Sequence, residues 1–209
     1  MRDALVRAAR ALQAAGLNHG SAGNLSVRTG DGMLITPTGL ATAGLEAAQM
    51  VSLSLDGSAA PGQLRPSSEW RFHAAVYVRR PDVGAVVHTH SPHATALACM
   101  RLPLPPLHYT IALSGRDTLP CADYAPFGTQ ALADAVVAAL GEHGRACLMA
   151  NHGLLVAAGD LDTALALAVE MEFLAKVYLL CRGAGEPVIL GDAELDEVRE
   201  RIAAYGRQD

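Results

Sequence analysis

The sequence predicts a single domain of mixed class, α/β or α+β, in which helices and strands alternate. The first observation is length, because 209 residues fall within the range of one ordinary domain. The second is composition: 51% hydrophobic and 18% charged residues support a packed core and exclude a disordered chain. The third is pattern, since segments with helical spacing of apolar residues interleave with short β-rich runs. Periodicity alone does not fix the topology.

The first third of the chain is predicted to hold one helix and two strands. Apolar residues recur at helical spacing from Leu5 to Leu12, and Gly16 marks the end of that helix. A glycine- and serine-rich passage follows, and two short β-like pieces come after it at 25–28 and 33–36.

The middle third is predicted to hold a helix followed by a strand. The helix opens at Pro66, includes Trp70 and ends before Pro81. The run 84–90 is rich in β-branched residues and is closed by a Ser-Pro pair, which predicts a strand.

The last third is predicted to hold three helices and one buried strand. A helix spans 129–140 between two glycines, and 147–157 has the composition of a buried strand that an Asn-His-Gly segment interrupts. Asp160 can cap a long helix that runs to Cys181, and a final helix runs from about 193 to 204.

Charge and hydropathy exclude several classes of protein. The formal net charge is −5, which removes the general electrostatic case for binding nucleic acid. The N-terminal segment is charged throughout and lacks the apolar stretch of a signal peptide, and no run has the ~18 apolar residues of a membrane span. We therefore expect a soluble cytoplasmic protein. Its scattered cysteines are predicted to be reduced and mostly buried: Cys99, Cys121, Cys147 and Cys181.

The most specific local motif is His88-Thr89-His90. Side chains at positions i and i+2 of a strand project from the same face, so both imidazoles can reach one cation at roughly 2.0–2.1 Å, the usual zinc–nitrogen distance. A bare His-x-His pattern is nevertheless more often two ordinary histidines of a half-buried strand. Because His152 interrupts an apolar strand, it is an attractive third ligand. Spacing does not choose among the candidates, which are His19, His73, His93, His108, His143 and His152.

Two further motifs are suited to an anion. Ser67 and Ser68 follow Pro66 at the predicted start of a helix, where free N–H groups and hydroxyls favour a phosphate, although a serine that only caps the helix is the commoner case. Glu69 either complements the helix dipole or moves a proton beside a metal and an anion. The glycine-rich segments 20–26 and 36–39 let a backbone approach a ligand closely, but neither is a nucleotide-binding fingerprint.

Seven blocks of the sequence together resemble the class II aldolase/adducin family, and within it the L-fuculose-1-phosphate aldolases most. The blocks occur in the order of the family and span about residues 16 to 182. They are LNHGSAGNLSVR, DGMLITPTGL, PSSEWRFHAAVY with RPD, AVVHTHSPHATAL, LHYTIALSG, PCADYAPFGT and NHGLL. The resemblance implies a central, largely antiparallel sheet covered by helices, and homotetramers with sites between subunits.

The resemblance also implies roles for individual residues. His88, His90 and His152 match a zinc site with one ion per subunit, which settles the third ligand, and Glu69 matches an acid/base carboxylate that can also ligate the metal. Tyr109 matches a catalytic tyrosine that a neighbouring subunit supplies. The matches to phosphate-binding positions are Gly23, Asn24, Thr38, Gly39, Ser67 and Ser68, and the matches to aromatic residues that help close the site are Phe127 and Tyr205.

The activity implied is that of a zinc-dependent lyase. It would reversibly cleave L-fuculose 1-phosphate, or a similar ketose 1-phosphate, into dihydroxyacetone phosphate and an aldehyde such as L-lactaldehyde. One alternative within the family is L-ribulose-5-phosphate 4-epimerase, which carries an aspartate where Glu69 stands, and another is methylthioribulose-1-phosphate dehydratase, which can keep a glutamate. A non-catalytic, adducin-like interaction domain is a third alternative, but it would be expected to lose the metal histidines.

Overall fold

Seven strands and six α-helices make up the regular structure of residues 1–204, which are the residues that the computed structural model describes. The strands are β1 (Asn24–Thr29), β2 (Gly32–Ile35), β3 (Val51–Ser54), β4 (Ala85–Thr89), β5 (Cys121–Ala122), β6 (Ala146–Met149) and β7 (Gly153–Ala158). The α-helices are α1 (Arg2–Ala14), α2 (Trp70–Arg79), α3 (Pro92–Met100), α4 (Gln130–Leu140), α5 (Leu161–Ala184) and α6 (Asp192–Ala204). Short 3₁₀ helices span Thr42–Gly44, Ala47–Gln49 and Tyr109–Ser114.

The strands form one sheet in the order β3-β2-β1-β4-β7-β6-β5. Neighbouring strands are antiparallel except β5 and β6, which are parallel. This confirms the mixed class that the sequence pattern predicted and the largely antiparallel sheet that the family resemblance implied.

Helices cover both faces of the sheet. Apolar residues of α1, α3 and α5 pack with Val87 of β4 in one cluster, whereas those of α2 and α4 pack with Val86 in another. Strands β4 and β7 are buried along their whole length, which explains why they appear in the sequence as apolar runs without alternation. Because side chains alternate along a strand, His88 lies on the same face as Val86, the face that α2 covers.

The predicted start of the second helix is wrong by four residues. Helix α2 begins at Trp70, not Pro66, because the preceding segment is tied to the end of β2. Pro66 forms an isolated bridge with Pro37, and the Ser67 N–H donates to the carbonyl of Thr36. Ser67 and Ser68 therefore precede the helix instead of forming its first turn.

The predicted interrupted strand at 147–157 is a hairpin. Strands β6 and β7 pair antiparallel across a tight turn, and Asn151 in that turn adopts a φ of 54°, a conformation that asparagine tolerates better than most residues. Helix α3 and strand β3 had no counterpart in the sequence interpretation. Helix α5 is capped by Asp160, as predicted, because its carboxylate accepts from the Thr163 N–H, but it extends to Ala184.

The cysteine prediction is only partly correct. All four cysteines are free, but only Cys147 is buried, whereas Cys121 and Cys181 are partly exposed and Cys99 is exposed. None of the helices within residues 1–204 is long and apolar enough to cross a membrane.

Candidate functional site

Three histidines converge where β4 ends and β7 begins. His88 is the fourth residue of β4, His90 follows that strand directly, and His152 lies in the turn that precedes β7. The Nε2 atoms of His88 and His90 are 3.0 Å apart, and the ligand atoms of all three side chains lie within 4.8 Å of one another. The structure thus brings His152, among the candidates that spacing left open, to the His-x-His pair.

The strand pairing explains why these histidines meet. Strand β7 runs antiparallel to β4 and pairs Thr89 with Leu154, so the turn before β7 lies beside the end of β4. Gly153 permits this close approach, because a Cβ there would lie 2.3 Å from the carbonyl oxygen of Thr89 and 3.2 Å from Cε1 of His88. The Nδ1 of His88 donates to the Leu154 carbonyl at 2.9 Å, which leaves Nε2 of the neutral ring with a free lone pair.

The carboxylate of Glu69 completes the cluster from the N-terminus of α2. Its Oε2 accepts from Asn24 Nδ2 at 2.8 Å and lies 3.4 Å from His88 Nε2, while Oε1 lies 3.1 Å from His152 Nε2. The contact with His152 lacks the alignment of a hydrogen bond, so Oε1 is buried without a hydrogen-bond partner among residues 1–204. A buried carboxylate oxygen in this state is expensive unless something else binds it.

This donor set fits a divalent cation. Lone pairs of neutral imidazoles and a carboxylate oxygen face one another across a few ångströms, an arrangement that is unfavourable without a positive charge between them. Three imidazole nitrogens with at most one carboxylate are also the ligands that zinc and related transition metals take in catalytic sites. The residues present could therefore hold such an ion.

The electrostatics of the cluster favour the ligand forms of these groups. Burial lowers the pKa of His88 to about 3 and also lowers the pKa of His90, so both rings are neutral near pH 7. Burial alone would raise the pKa of Glu69, but attraction to His88 and the contacts with His152 and Asn24 outweigh it and hold this pKa well below its usual range. Glu69 is therefore ionised.

A cavity of about 360 Å³ opens directly above Glu69, His90 and His152. All six residues predicted to bind phosphate line it: Gly23, Asn24, Thr38, Gly39, Ser67 and Ser68. Gly39 has a φ of 73°, a left-handed conformation that keeps the loop backbone at the cavity wall and favours glycine. A larger groove of about 750 Å³ lies between α2 and α4, away from the histidine cluster.

The predicted phosphate-binding residues are not equally available to a ligand. Ser68 is exposed at the cavity wall, whereas Ser67 is buried and its hydroxyl accepts from the Glu69 N–H at 3.3 Å. The side chain of Asn24 is occupied by Glu69 and by His73, whose Nε2 lies 2.5 Å from Asn24 Oδ1. Both polar atoms of the Asn24 side chain therefore already have protein partners, which the predicted phosphate-binding role did not include.

The predicted aromatic residues fall into three groups. Phe127 is 70% exposed and lines the cavity. Tyr109 is 52% exposed, stacks on the ring of His108, and borders a different, mostly apolar groove beside α6. Tyr205 lies outside the described residues.

Sequence reasoning missed two residues that line the cavity, Tyr124 and Asn151. Both lie within motifs that carried the resemblance, PCADYAPFGT and NHGLL, so membership of those blocks was the available signal. Of the other candidate ligands, His19 and His143 are exposed, His93 binds Glu172, and His108 binds Thr110.

Comparison with known proteins identifies the family to which the chain is similar. The model of the Class II Aldolase and Adducin N-terminal domain matches residues 3–179. A 5-methylthioribulose-1-phosphate/5-deoxyribulose-1-phosphate aldolase of Rhodospirillum rubrum is 46% identical over 206 residues, which cover 99% of this chain and 92% of that protein. The L-fuculose phosphate aldolase of Escherichia coli K12 is 46% identical over 192 residues, 91% of this chain and 88% of that protein.

A solved structure shows the same similarity in three dimensions. An L-fuculose 1-phosphate aldolase superposes with a TM-score of 0.92 at 37% identity, over 97% of this chain and 95% of the other. The chain belongs to the class II aldolase and adducin family, as the sequence motifs predicted.

Proposed function

We propose that this member of the class II aldolase and adducin family is a zinc-dependent lyase that reversibly cleaves a ketose 1-phosphate into dihydroxyacetone phosphate and an aldehyde. The observation that carries the proposal is the buried Glu69 oxygen without a hydrogen-bond partner in the described chain, which lies beside three convergent imidazoles at the floor of the cavity. Zinc, one ion per subunit, would be held by His88, His90 and His152. When bound, it would supply the positive charge that stabilises the enediolate left by carbon–carbon cleavage.

Glu69 is proposed to carry the proton of the reacting carbon. In cleavage Glu69 must enter the step as the carboxylic acid, after taking up a proton from solvent. The C3–C4 bond of the ketose then breaks, its electron pair stays with C3, and C3 gains the proton of Glu69, which leaves the carboxylate. In condensation the Glu69 carboxylate removes that proton again. The position of Oε1, buried and free of a hydrogen bond from the described protein, suits a group that must accept and return a proton.

The glycine and serine loops are proposed to hold the phosphate of the substrate. The Ser68 hydroxyl is exposed at the cavity wall beside the N-terminus of α2, a ten-residue helix whose dipole favours an anion there. The backbone at Gly23, Thr38 and Gly39 lines the same cavity. Fixing the phosphate at this end would place the carbon skeleton over the histidines, so that one orientation presents C3 to Glu69.

Tyr109 is proposed to serve the site of a neighbouring subunit in a homotetramer. It would donate a proton to the aldehyde oxygen in condensation and remove the proton of the C4 hydroxyl in cleavage. Its exposure and its position outside the cavity of its own chain are consistent with this arrangement. Phe127 and Tyr205 are proposed to help close the site. We also propose that the protein is cytoplasmic.

The names of the relatives narrow the class of substrate. The substrates named for them are L-fuculose phosphate, 5-methylthioribulose 1-phosphate and 5-deoxyribulose 1-phosphate. All three sugars lack a hydroxyl group on the carbon farthest from the ketone end. The proposed substrate is therefore L-fuculose 1-phosphate or a similar deoxy-ketose 1-phosphate, and the aldehyde released would be L-lactaldehyde, acetaldehyde or methylthioacetaldehyde.

An assay for dihydroxyacetone phosphate over these three ketose phosphates tests the proposal. The zinc-loaded protein is compared with protein treated with a chelator and with Glu69→Gln, and L-ribulose 5-phosphate is included as the epimerase substrate. We expect release of triose phosphate from at least one ketose 1-phosphate, lost on chelation and restored by zinc. Activity on L-ribulose 5-phosphate alone, or loss of water from methylthioribulose 1-phosphate without triose phosphate, would overturn the lyase in favour of the epimerase or the dehydratase.

A further inference from the structure

A chain of buried polar side chains leads from Glu69 into the core between β1 and α2. Asn24 and Ser26 are two residues apart in β1 and share one face of that strand. Glu69, the N-cap residue of α2, is followed at intervals of four by His73 and Tyr77 within that helix, so the three side chains share one face. All five residues are less than 9% exposed, and His73 and Ser26 are fully buried.

The side chains of the two elements interdigitate through four hydrogen-bond contacts. Asn24 Nδ2 lies 2.8 Å from Glu69 Oε2, and Asn24 Oδ1 lies 2.5 Å from His73 Nε2. On the other side of the ring, His73 Nδ1 lies 2.7 Å from Ser26 Oγ, which in turn lies 2.8 Å from the Tyr77 hydroxyl. The far end is anchored by Arg28, which stacks on the Tyr77 ring at 4.8 Å and donates to the carbonyl of Tyr77.

The chemistry of these groups fixes the direction of every hydrogen bond. An ionised Glu69 can only accept, so the amide nitrogen of Asn24 must face it and the amide oxygen must face His73. An amide oxygen also only accepts, so His73 must carry its proton on Nε2, and Nδ1 of the neutral ring must then accept from Ser26. Because the single hydroxyl proton of Ser26 is then used, the Ser26 oxygen must accept from the Tyr77 hydroxyl. Every donor in the chain therefore points towards the carboxylate of Glu69.

Burial of the ring supports the neutral form that this direction requires. Burial, with a smaller contribution from nearby His88, lowers the pKa of His73 to about 3. A neutral ring whose two nitrogens have opposite roles can link a donor on one side to an acceptor on the other.

We propose that His73 is a positioning residue for the reaction, which acts through Asn24 to fix the carboxylate of Glu69. The inference rests on the proposed function of Glu69 as the proton carrier. Asn24 holds Oε2, so the carboxylate cannot rotate freely, and Oε1 is left facing His152 and the cavity. A displacement of about 1 Å at a reacting group can cost about a hundredfold in rate.

Two variants of His73 separate positioning from simple core packing. The side-chain amide nitrogen of His73→Gln can take the place of Nε2 and still donate to Asn24, whereas the shorter His73→Asn can replace only Nδ1. We expect His73→Asn to lower kcat by about ten- to a hundredfold with KM changed by less than about threefold, and His73→Gln to recover most of that loss. Thermal unfolding and bound zinc are measured on both variants.

Exchange of the C3 proton of dihydroxyacetone phosphate with deuterium oxide isolates the step assigned to Glu69, since no aldehyde is needed. Its rate should follow the same order: wild type, then His73→Gln, then His73→Asn. Equal losses in the two variants that follow their melting temperatures would overturn the proposal and leave His73 a packing residue. Near wild-type kcat in both variants would overturn it as well.

A measurement on the wild-type protein does not depend on the variants folding. ¹⁵N NMR of histidine-labelled protein, in its metal-free and zinc-loaded forms, should show that the buried neutral ring of His73 carries its proton on Nε2. Its unprotonated Nδ1 should accept the hydrogen bond from Ser26. A proton on Nδ1 of His73 would overturn the inferred direction of the chain. Failure of the proposed function is distinguishable, because wild-type protein would then release no dihydroxyacetone phosphate whatever the NMR result.

Discussion

The histidine cluster and the surroundings of Tyr109 differ in how completely one chain builds them. His88 is fully buried, its ring is held by the Leu154 carbonyl, and the pairing of β4 with β7 brings His90 and His152 beside it. Tyr109 lies on a 3₁₀ helix, is 52% exposed, and borders a groove away from the cavity. The groups that need the most accurate placement therefore lie at the ends of the buried central strands and at the N-terminus of α2. The residue proposed to act in a neighbouring site lies on the surface.

Removal of a histidine from the cluster should have the largest effect. We expect His88→Ala to lose bound zinc and to lower triose phosphate release to background, because the remaining ligands cannot hold the ion. Metal content by elemental analysis and the coupled assay measure both effects. His143→Ala, at an exposed histidine away from the cavity, is the matched control and should retain both. Full activity of His88→Ala would contradict the proposed ligand set.

Glu69→Gln should lower activity slightly less than His88→Ala, because the three proposed zinc-binding histidines remain. We expect kcat to fall about 10³-fold, within the range of general acid–base contributions, with zinc still bound. Exchange of the C3 proton of dihydroxyacetone phosphate should fall by a similar factor. Glu142→Gln, at an exposed carboxylate outside the cavity, should behave as wild type. An unchanged exchange rate in Glu69→Gln would show that another group carries the proton.

Tyr109→Phe tests whether the exposed tyrosine takes part in the reaction. We expect a loss of about 10² in kcat from the missing proton donor, with zinc content unchanged. Co-assembly of Tyr109→Phe with Glu69→Gln chains should restore roughly a quarter of wild-type activity, because random pairing rebuilds that share of intact sites between subunits. No recovery in a mixture whose co-assembly is verified by native mass spectrometry would place Tyr109 in the site of its own chain, or outside any site.

Only part of the histidine cluster could be predicted from local sequence patterns, for physical reasons. Strand periodicity alone predicted that His88 and His90 project from the same face, because residues i and i+2 of a strand share a face. The proposed third ligand could not be chosen from a local pattern, since His152 meets the pair only through the β4–β7 register. The resemblance to the family supplied it instead.

Two other features were missed because they also depend on contacts between residues that are distant in sequence. The start of α2 was placed at Pro66 because proline favours the first helical turn, but pairing of that segment with the end of β2 overrides this preference. The link from Asn24 to His73 was missed because it depends on how β1 packs against α2. Its trace in the sequence is the spacing of four between Glu69, His73 and Tyr77, which by itself also fits an ordinary buried helix face.

Ser68→Ala should produce a smaller effect, confined to substrate binding. Loss of one hydrogen bond to a charged phosphate is worth about 1.5–3 kcal/mol, so we expect KM to rise about tenfold or more while kcat changes little. Steady-state kinetics on the ketose 1-phosphate measure it. Ser52→Ala, at an exposed serine of β3 outside the cavity, is the control. A large fall in kcat with unchanged KM would place Ser68 nearer the reacting atoms than the phosphate.

The smallest expected effect concerns the pH dependence of stability. Because the pKa of His73 is lowered to about 3 in the folded chain, the unfolded chain binds an extra proton between that value and its own pKa of about 6.5. The free energy of unfolding of metal-free protein should therefore fall as the pH drops from 6.5 towards 5. His73→Gln should reduce this slope by up to about 1.4 kcal/mol per pH unit. The free energy of unfolding is measured by urea titration at several pH values. If it depends on pH equally in both proteins, a buried neutral His73 is contradicted.

Titration of metal-free protein with zinc tests whether carbon–carbon cleavage depends on one bound zinc ion per chain. Triose phosphate release from a deoxy-ketose 1-phosphate is measured as zinc is added in fractions of an equivalent to chelator-treated, dialysed protein. We predict no activity at the start, a linear rise, and saturation at one zinc per chain. Full activity before any zinc is added would contradict it, and so would a fully zinc-loaded protein that releases no dihydroxyacetone phosphate from any of the three ketose 1-phosphates.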